Sequence, residues 1–532
     1  MKQVFAGIDL GTSSVKVDIV DAQGRLLAEH SAGYSTSSPE IGWAEQNPEE
    51  WWQAVWTSLC SCVTHLRTVE DSFDLRGIGV TGQMHSSVLL GADGNPLGPA
   101  IVWMDARARE LMPEIEDTLQ RTKLHSVLKN TPAPGLTLGP LVWMRRHRPE
   151  MLDSAAQLLI AKDYIRYRLT GELATDITDA SGTLMLDMNK REWCSELCET
   201  FDLPPQILPE IKLPSEVAGV LHSELSAELG LAEAPVVAIG CSDQAAAAIG
   251  AGVLKPGLMQ LMLGTGAQVM TPLSSGEVMP PRSLNMFCLH ALWCLQGSIQ
   301  NAGSALNWVR STFRADWDEV MQAATERPAG PLFLPYLTGE RAPIMDEQAS
   351  GAFLGVRYGA GREHMLFAVI EGVVHGICDA VEEIDRVVQL PTQTRGAGQE
   401  PPLQAGGGEI RCGGGGAGQD AYVQLLADYL GRPLSVLDRS GSTALGAAML
   451  GAVAAGVYSD LGSAGAEMGL KVGKVLEPNV KQASKAADRR SEFRFRRDHN
   501  LETERKLRGR AASCNEDMLT SGPPPDASAT TT

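Results

Sequence analysis

The chain has 532 residues, 44% of them hydrophobic and 20% charged, with a formal net charge of −19. That length exceeds what one ordinary core fills, so at least two domains are predicted, with room for a cleft between them; the apolar share is that of a packed globular protein. The acidic balance excludes the clustered Lys and Arg that nucleic-acid binding needs.

The ten cysteines contain no C-x2-C pair. Cys60/Cys62 and Cys194/Cys198 are spaced poorly for zinc, so free thiols in a reducing compartment fit best. Asp9 interrupts the apolar stretch at the start, which therefore lacks a signal-peptide h-region. The weakly polar run 236–254 is broken by Ser242, Asp243 and Gln244, which argues against a membrane span there. A cytoplasmic protein without membrane or nucleic-acid partners is expected.

In chain order, the apolar run 4–10 ends in Gly11-Thr12-Ser13-Ser14, resumes at Val15, Val17 and Ile19, and turns again at Asp21-Ala22-Gln23-Gly24. Period-two alternation broken by Gly turns predicts a β-hairpin or meander. Helices are predicted over 48–66 and 162–169, and strands over 77–81 and 236–240. The latter strand runs through Cys241-Ser242-Asp243-Gln244 into the small-residue stretch 245–250, the pattern of a strand, a tight turn and a helix start. A second Gly-Thr hairpin follows at 258–263, Gly264-Thr265-Gly266 and Ala267 onward. This short repeat near the midpoint predicts two related α/β domains, 1–236 and 237–480. The segment 391–408, rich in Gly, Pro and Gln, reads as a surface loop. The tail 481–532 is Arg-rich up to Arg510, with room for one amphipathic helix, and then turns Ser/Pro/Thr-rich, which predicts disorder.

A nucleotide site must satisfy several anionic oxygens with backbone N–H groups, and Gly-rich turns allow that close approach. Gly11-Thr12-Ser13-Ser14 and Gly264-Thr265-Gly266 qualify, with Lys16 able to add charge; each alone is equally an ordinary hairpin turn. The P-loop pattern is absent. Gly413-Gly414-Gly415-Gly416 ahead of a predicted helix at 421–430 suits the flat part of a nucleotide, or simply prolongs the preceding loop. Asp243, at a helix start beyond a strand, is placed either as a cap or as a general base toward a substrate hydroxyl. Asp9, beside the first Gly-Thr turn, suits a Mg²⁺ held near phosphates, or a turn cap. Gln83, His85, Trp103 and Asp105 combine hydrogen-bonding groups with an aromatic wall, as a polyol site needs.

Taken together these segments resemble the FGGY carbohydrate kinases. The resemblance rests on residues 7–14, Gly82-Gln83-Met84-His85, Ile101-Val102-Trp103-Met104-Asp105, Lys162-Asp163-Tyr164 with Leu169-Thr170-Gly171-Glu172, Asp243-Gln244, Leu263-Gly264-Thr265-Gly266 and 333–343, in family order over roughly 4–480. It implies two ribonuclease-H-like, actin-like ATPase domains closing on ATP and a small sugar, most similar in pattern to members that convert D-xylulose to D-xylulose 5-phosphate. Asp243 would be the catalytic base and Asp9 the residue supporting Mg²⁺. Met84, His85, Gln83, Trp103, Asp105 and Gln244 would face the sugar. Thr12, Ser13, Lys16, Thr265, Gly266, Gly303, Asn307, Gly415 and Gly416 would hold the nucleotide. Ser86 and Met104 stand where the family usually has Gly and Asn, which leaves ribulose, L-xylulose, gluconate or glycerol open as substrate. A non-catalytic nucleotide or sugar sensor and a homodimer also stay open.

Overall fold

The computed structural model describes residues 1–389 and 408–520, with side chains described as far as 508. By backbone packing the chain forms two compact units. The larger comprises Met1–Ser298, the described part of Ala380–Gly418, and Pro433–Leu476; the smaller comprises Ile299–Asp379, Gln419–Arg432 and the residues from Glu477 on. Both units are discontinuous.

The larger unit holds two seven-stranded sheets of matching design. The first contains β1 (Lys2–Leu10), β2 (Ser14–Asp21), β3 (Leu26–Gly33), β4 (Phe73–Gly82), β5 (Val217–Val220), β6 (Val236–Ala238) and the short β7 (Cys241–Ser242). Its order is β5-β6-β4-β1-β2-β3, with β7 also paired to β4. The second contains β8 (Leu258–Leu263), β9 (Ala267–Leu273), β10 (Asn285–Leu289), β11 (Leu292–Ile299), β12 (Glu409–Gly413), β13 (Leu434–Leu437) and β14 (Val472–Leu476), in the order β10-β11-β9-β8-β12-β13-β14. In each sheet an antiparallel hairpin, β1–β2 or β8–β9, is followed by a parallel neighbour of its first strand, β4 or β12. The two Gly-Thr turns of the sequence repeat are the tips of these equivalent hairpins.

The parallel strands read as near-continuous apolar runs because both of their faces are covered. Val4, Phe5, Ala6, Ile8 and Leu10 of β1 and Ile78 and Val80 of β4 are fully buried. On one side lies α1 (Pro48–Val69). Asn47 caps it by accepting the Glu49 N–H, Pro48 opens its first turn, and Trp51, Val55, Leu59, Cys62 and Leu66 form its buried stripe. The other side carries α4 (Asp243–Gly250) and α5 (Ser442–Ala454). Here glycine is obligatory for close approach: a Cβ on Gly7 would sit 1.8 Å from the Ala444 carbonyl oxygen, and one on Gly446 would sit 1.9 Å from that of Ala246. Two further helices, α2 (Ala161–Thr170) and α3 (Ile177–Gly182), stand near the carboxyl ends of the first sheet's strands.

The long helix Arg362–Gln389, of which 362–379 belong to the smaller unit and 380–389 to the larger, has the length and hydropathy of a membrane span, yet 89% of its most apolar stretch is buried inside the protein. It is a core helix, and it is a longer apolar segment than the 236–254 run singled out from the sequence. The Arg-rich tail forms the helix Val480–Thr520. Phe493 and Leu501 of that helix enter a core with Leu332, Leu334 and Tyr336, and Arg490, Arg494 and Arg497 all reach the carboxylate of Asp379. The predicted loop 391–408 and the Ser/Pro/Thr-rich end lie outside the described residues, apart from Gly408. Among the described residues the cysteines form no disulfide.

Candidate active site

The carboxyl ends of β1, β4 and β7 meet at one edge of the first sheet, the place where open α/β sheets bind ligands. Register sets Asp9 beside Thr81 and Thr81 beside Cys241, with Leu10, Gly82 and Ser242 one step further along. Asp243 follows directly as the first residue of α4. The two carboxylates therefore flank the end of β4, at backbone positions about 10 Å apart by two strand spacings.

The helix-cap reading of Asp243 does not describe what is seen. Ser242 occupies the cap position of α4, without a side-chain cap bond, and Asp243 is the first helical residue. Its Oδ1 is sealed from solvent and accepts no hydrogen bond. Burial raises its pKa to about 6, and the Gln244 backbone N–H and side-chain amide pull it back part of the way. Asp9 is raised to about 7, first by burial and then by the negative charges of Asp243 and Asp18, with Lys16 opposing. Two neighbouring buried carboxylates with raised pKa values, one of them raised in part by the other's charge, are a mark of a functional site.

The first Gly-Thr turn is held from three directions. Gly11 N–H donates to the Ser14 carbonyl (3.0 Å), the Tyr34 hydroxyl donates to the Gly11 carbonyl, and Gln46 Nε2 donates to the Thr12 carbonyl (2.7 Å). Thr12 Oγ1 accepts from the indole of Trp103 (3.1 Å), and Ser13 is exposed. Lys16 Nζ lies 3.3 Å from both Asp18 and Glu29, so its charge is shared with acids beside the turn. Nothing local in the sequence singles out Tyr34 or Gln46, since both act from outside the motif they support.

On the same edge, Gln83 is buried and its Nε2 donates to Gln46 Oε1 (2.8 Å), which also accepts from Trp51. His85 adopts a left-handed backbone, φ 68°, a strained conformation for a non-glycine residue and one found at functional sites. Its ring stands 6.4 Å from that of Phe287. Met84 is buried beside it, and Trp103 is 37% exposed. Asp105 is a different matter. Its Oδ2 accepts from Ala44 N–H and Arg107 Nη2, its Oδ1 accepts from Arg107 N and Nε, and the same guanidinium reaches Glu45. With its acceptor capacity used and its side chain buried, Asp105 clamps Arg107 and offers nothing to a sugar hydroxyl. The structure corrects that assignment.

The second Gly-Thr turn closes with Gly264 N–H on the Gly266 carbonyl (2.9 Å) and leaves Gly264 and Thr265 exposed. Parallel pairing of β8 and β12 brings Met262 beside Gly413, and Gly414, at φ 87°, lies where a Cβ would be 2.6 Å from the Leu263 carbonyl oxygen. Thr265, Gly266, Gly415 and Gly416 are thus gathered at adjacent strand ends, and around Gly415 there is open space. Gly303 and Asn307 belong to the smaller unit, on the helix Gly303–Thr312. The loop before that helix is fixed by buried Glu340, which accepts from the Gln300, Asn301 and Arg341 backbone N–H groups.

Among the described residues no group of three or more His, Cys, Asp or Glu is placed to hold a metal by itself. A divalent cation at this edge would be held by Asp9, and the negative charges of Asp243 and Asp18 acting on Asp9 are an electrostatic setting that suits one.

A sheet of this order built twice, each copy with a Gly-Thr hairpin and the first carrying a pair of perturbed carboxylates, is the actin-like, ribonuclease-H-like ATPase fold, and the chain is an ATP-dependent phosphotransferase of that class. The model of the FGGY family of carbohydrate kinases, N-terminal domain, matches residues 4–250, and that of the C-terminal domain matches residues 259–455. The chain belongs to the FGGY family of carbohydrate kinases. It is 35% identical to a xylulose kinase of Escherichia coli (strain K12) over 463 residues, covering 85% of this chain and 90% of that protein. A crystal structure of a xyloylose kinase from Brucella ovis is similar with a TM-score of 0.82 and 30% identity, over 94% of this chain and 100% of that one. A crystal structure of gluconate kinase from Lactobacillus acidophilus is similar with a TM-score of 0.84 and 27% identity, over 94% and 98%.

Proposed function

We propose that this kinase transfers the γ-phosphoryl group of ATP to the terminal hydroxyl of a ketopentose, converting D-xylulose to D-xylulose 5-phosphate. The observation that carries the reading is Asp243: a shielded carboxylate oxygen without a hydrogen-bond partner, on a group whose pKa of about 6 suits proton abstraction near neutral pH. As the sugar oxygen attacks the γ-phosphorus, its proton passes to Asp243, the new O–P bond forms, and the bond to the β-phosphate oxygen breaks to release ADP. The turns at Thr12-Ser13 and Thr265-Gly266 offer backbone N–H groups to the phosphates, with Gly415 and Gly416 beside the nucleoside. Met84, His85, Trp103 and Gln244 form the sugar side. Mg²⁺ held by Asp9 supplies charge neutralisation for the phosphates.

Similarity to the E. coli xylulose kinase supports the ketopentose. Similarity to the gluconate kinase structure makes gluconate the alternative, and Ser86 and Met104 lie on the sugar side where either could be discriminated. The test is ADP release with ATP and Mg²⁺ over D-xylulose, D-ribulose, L-xylulose, gluconate and glycerol. D-xylulose is expected to give the highest kcat/KM, and a tenfold preference for any other member of the panel rejects the assignment.

A further inference from the structure

The edge that carries Asp243 rests on a group of charges that the reaction does not use. Lys162 of α2 is completely buried, with Nζ 2.5 Å from Asp163, 2.9 Å from Asp176 and 3.3 Å from Asp179. Arg166, one turn on and equally buried, reaches Asp163 (2.7 Å) and the Ile239 carbonyl (3.2 Å). Thr175 Oγ1 donates to the other oxygen of Asp163 (2.7 Å). Apart from Lys162, neither oxygen of Asp179 has a hydrogen-bonding partner. Burial holds its pKa well above the ordinary carboxylate range despite Lys162, with Asp176 and Asp163 adding to the rise.

Ions taken so far from water rarely add stability over apolar residues of the same volume, so what the cluster holds in place is informative. Asp176 is the cap of α3, accepting the Thr178 and Asp179 N–H groups, and Lys162 grips that cap. Thr178 Oγ1 then accepts the Ser242 N–H at 2.8 Å, one residue before Asp243. At the far end of the same helix, a Cβ on Gly182 would lie 2.8 Å from Met84 Cε and 3.0 Å from His85 Cε1. Next to it, Ser181 Oγ accepts the Cys288 N–H of β10 in the second sheet (2.9 Å). One six-residue helix thus touches the turn bearing the base, both sugar-side residues and the opposite sheet.

We propose that α3, pinned by the buried ions at Lys162, is the mount of the reaction centre, with Thr178 the positioning residue that fixes the Ser242–Asp243 turn. The inference rests on Asp243 being the base. Thr178→Val keeps size and branching but leaves the Ser242 N–H without its acceptor, whereas Thr178→Ser keeps the hydroxyl. A displacement of the base by an ångström costs about 10²-fold. Accordingly, Thr178→Val is expected to lower kcat by about 10²-fold with the KM for ATP within about twofold, and Thr178→Ser to restore most of it. Lys162→Met removes the grip on α3 and should do the same where it folds; the Thr178 pair decides the matter where it does not. In an Asp243→Asn background, Thr178→Val should have little further effect on residual turnover, since the two act through one group. A Thr178→Val enzyme with wild-type kcat, or one equally slow with serine at 178, overturns the proposal. Wild-type turnover by Asp243→Asn overturns the base assignment instead, so the two failures are told apart.

Discussion

Asp243 carries a cost in the folded protein that the unfolded chain does not. Its pKa rises from 3.8 to about 6 on folding, so between these values the native state binds a proton that the unfolded state has lost. The sign follows by linkage: stability declines as pH rises through this window and stays reduced above it. Asp243→Asn removes the charge. The variant should therefore lose turnover by several orders of magnitude while being more stable than the wild type at pH 7.5 by up to about 3 kcal/mol, seen as a higher unfolding temperature, with the advantage shrinking as pH falls toward 5. Wild-type kcat should fall tenfold per pH unit below about 6. Thermal melts at the two pH values and a pH–rate profile check both, and equal melting of the two proteins at pH 7.5 contradicts the account. At this scale much was legible: Asp9, Asp243 and both Gly-Thr turns stand in strand-turn patterns that sequence shows. Asp105 was not, because its partners Ala44 and Glu45 come from a strand some 60 residues away, and a carboxylate facing an arginine looks, in sequence, like one facing a sugar.

The elements owe their spacing to residues without side chains. α4 and α5 are stacked against the first sheet at distances that only glycine permits, and a methyl group at Gly7 would meet Ala444 and Ala448 backbone atoms at 1.8 to 2.9 Å. Backbone cannot move aside as a flexible side chain can. Gly7→Ala is therefore expected to lower stability by about 3 kcal/mol, seen as a lower denaturant midpoint with an unchanged slope; an unchanged midpoint would show that the strand and helix separate freely. Sequence periodicity located β1, β4, α1, α2 and α4 closely. It gave no hint that α5, two hundred residues after α4, packs against it, because contact between distant small-residue helices leaves no local period. The buried charges at Lys162 were hidden for a similar reason: Lys162, Asp176 and Asp179 are polar positions that a pattern reading assigns to the surface.

Across the whole molecule the Arg-rich tail is part of the smaller unit's core. Removing the chain beyond Leu476 would uncover Tyr336, Leu332 and Leu334 and strip Asp379 of three arginines. Such a truncated protein should be recovered aggregated or without near-UV circular dichroism from that unit; a soluble, fully active truncation would show the helix to be dispensable. The composition of 481–532 suggested a helix but not its burial, since arginines that converge on one carboxylate are indistinguishable in sequence from arginines in solvent. The divide expected at 236/237 falls within β6, a strand of the first sheet, and β7 lies beyond it.

The discontinuity of both units has a consequence for biogenesis. The larger one needs residues 433–476 to supply β13, β14 and α5, and the smaller waits for the segments 419–432 and 477 onward. On a ribosome, where domains ordinarily close one after another as they emerge, the larger unit of this kinase is not able to finish until residues 433–476 have appeared, nor the smaller until those from 477 on have followed.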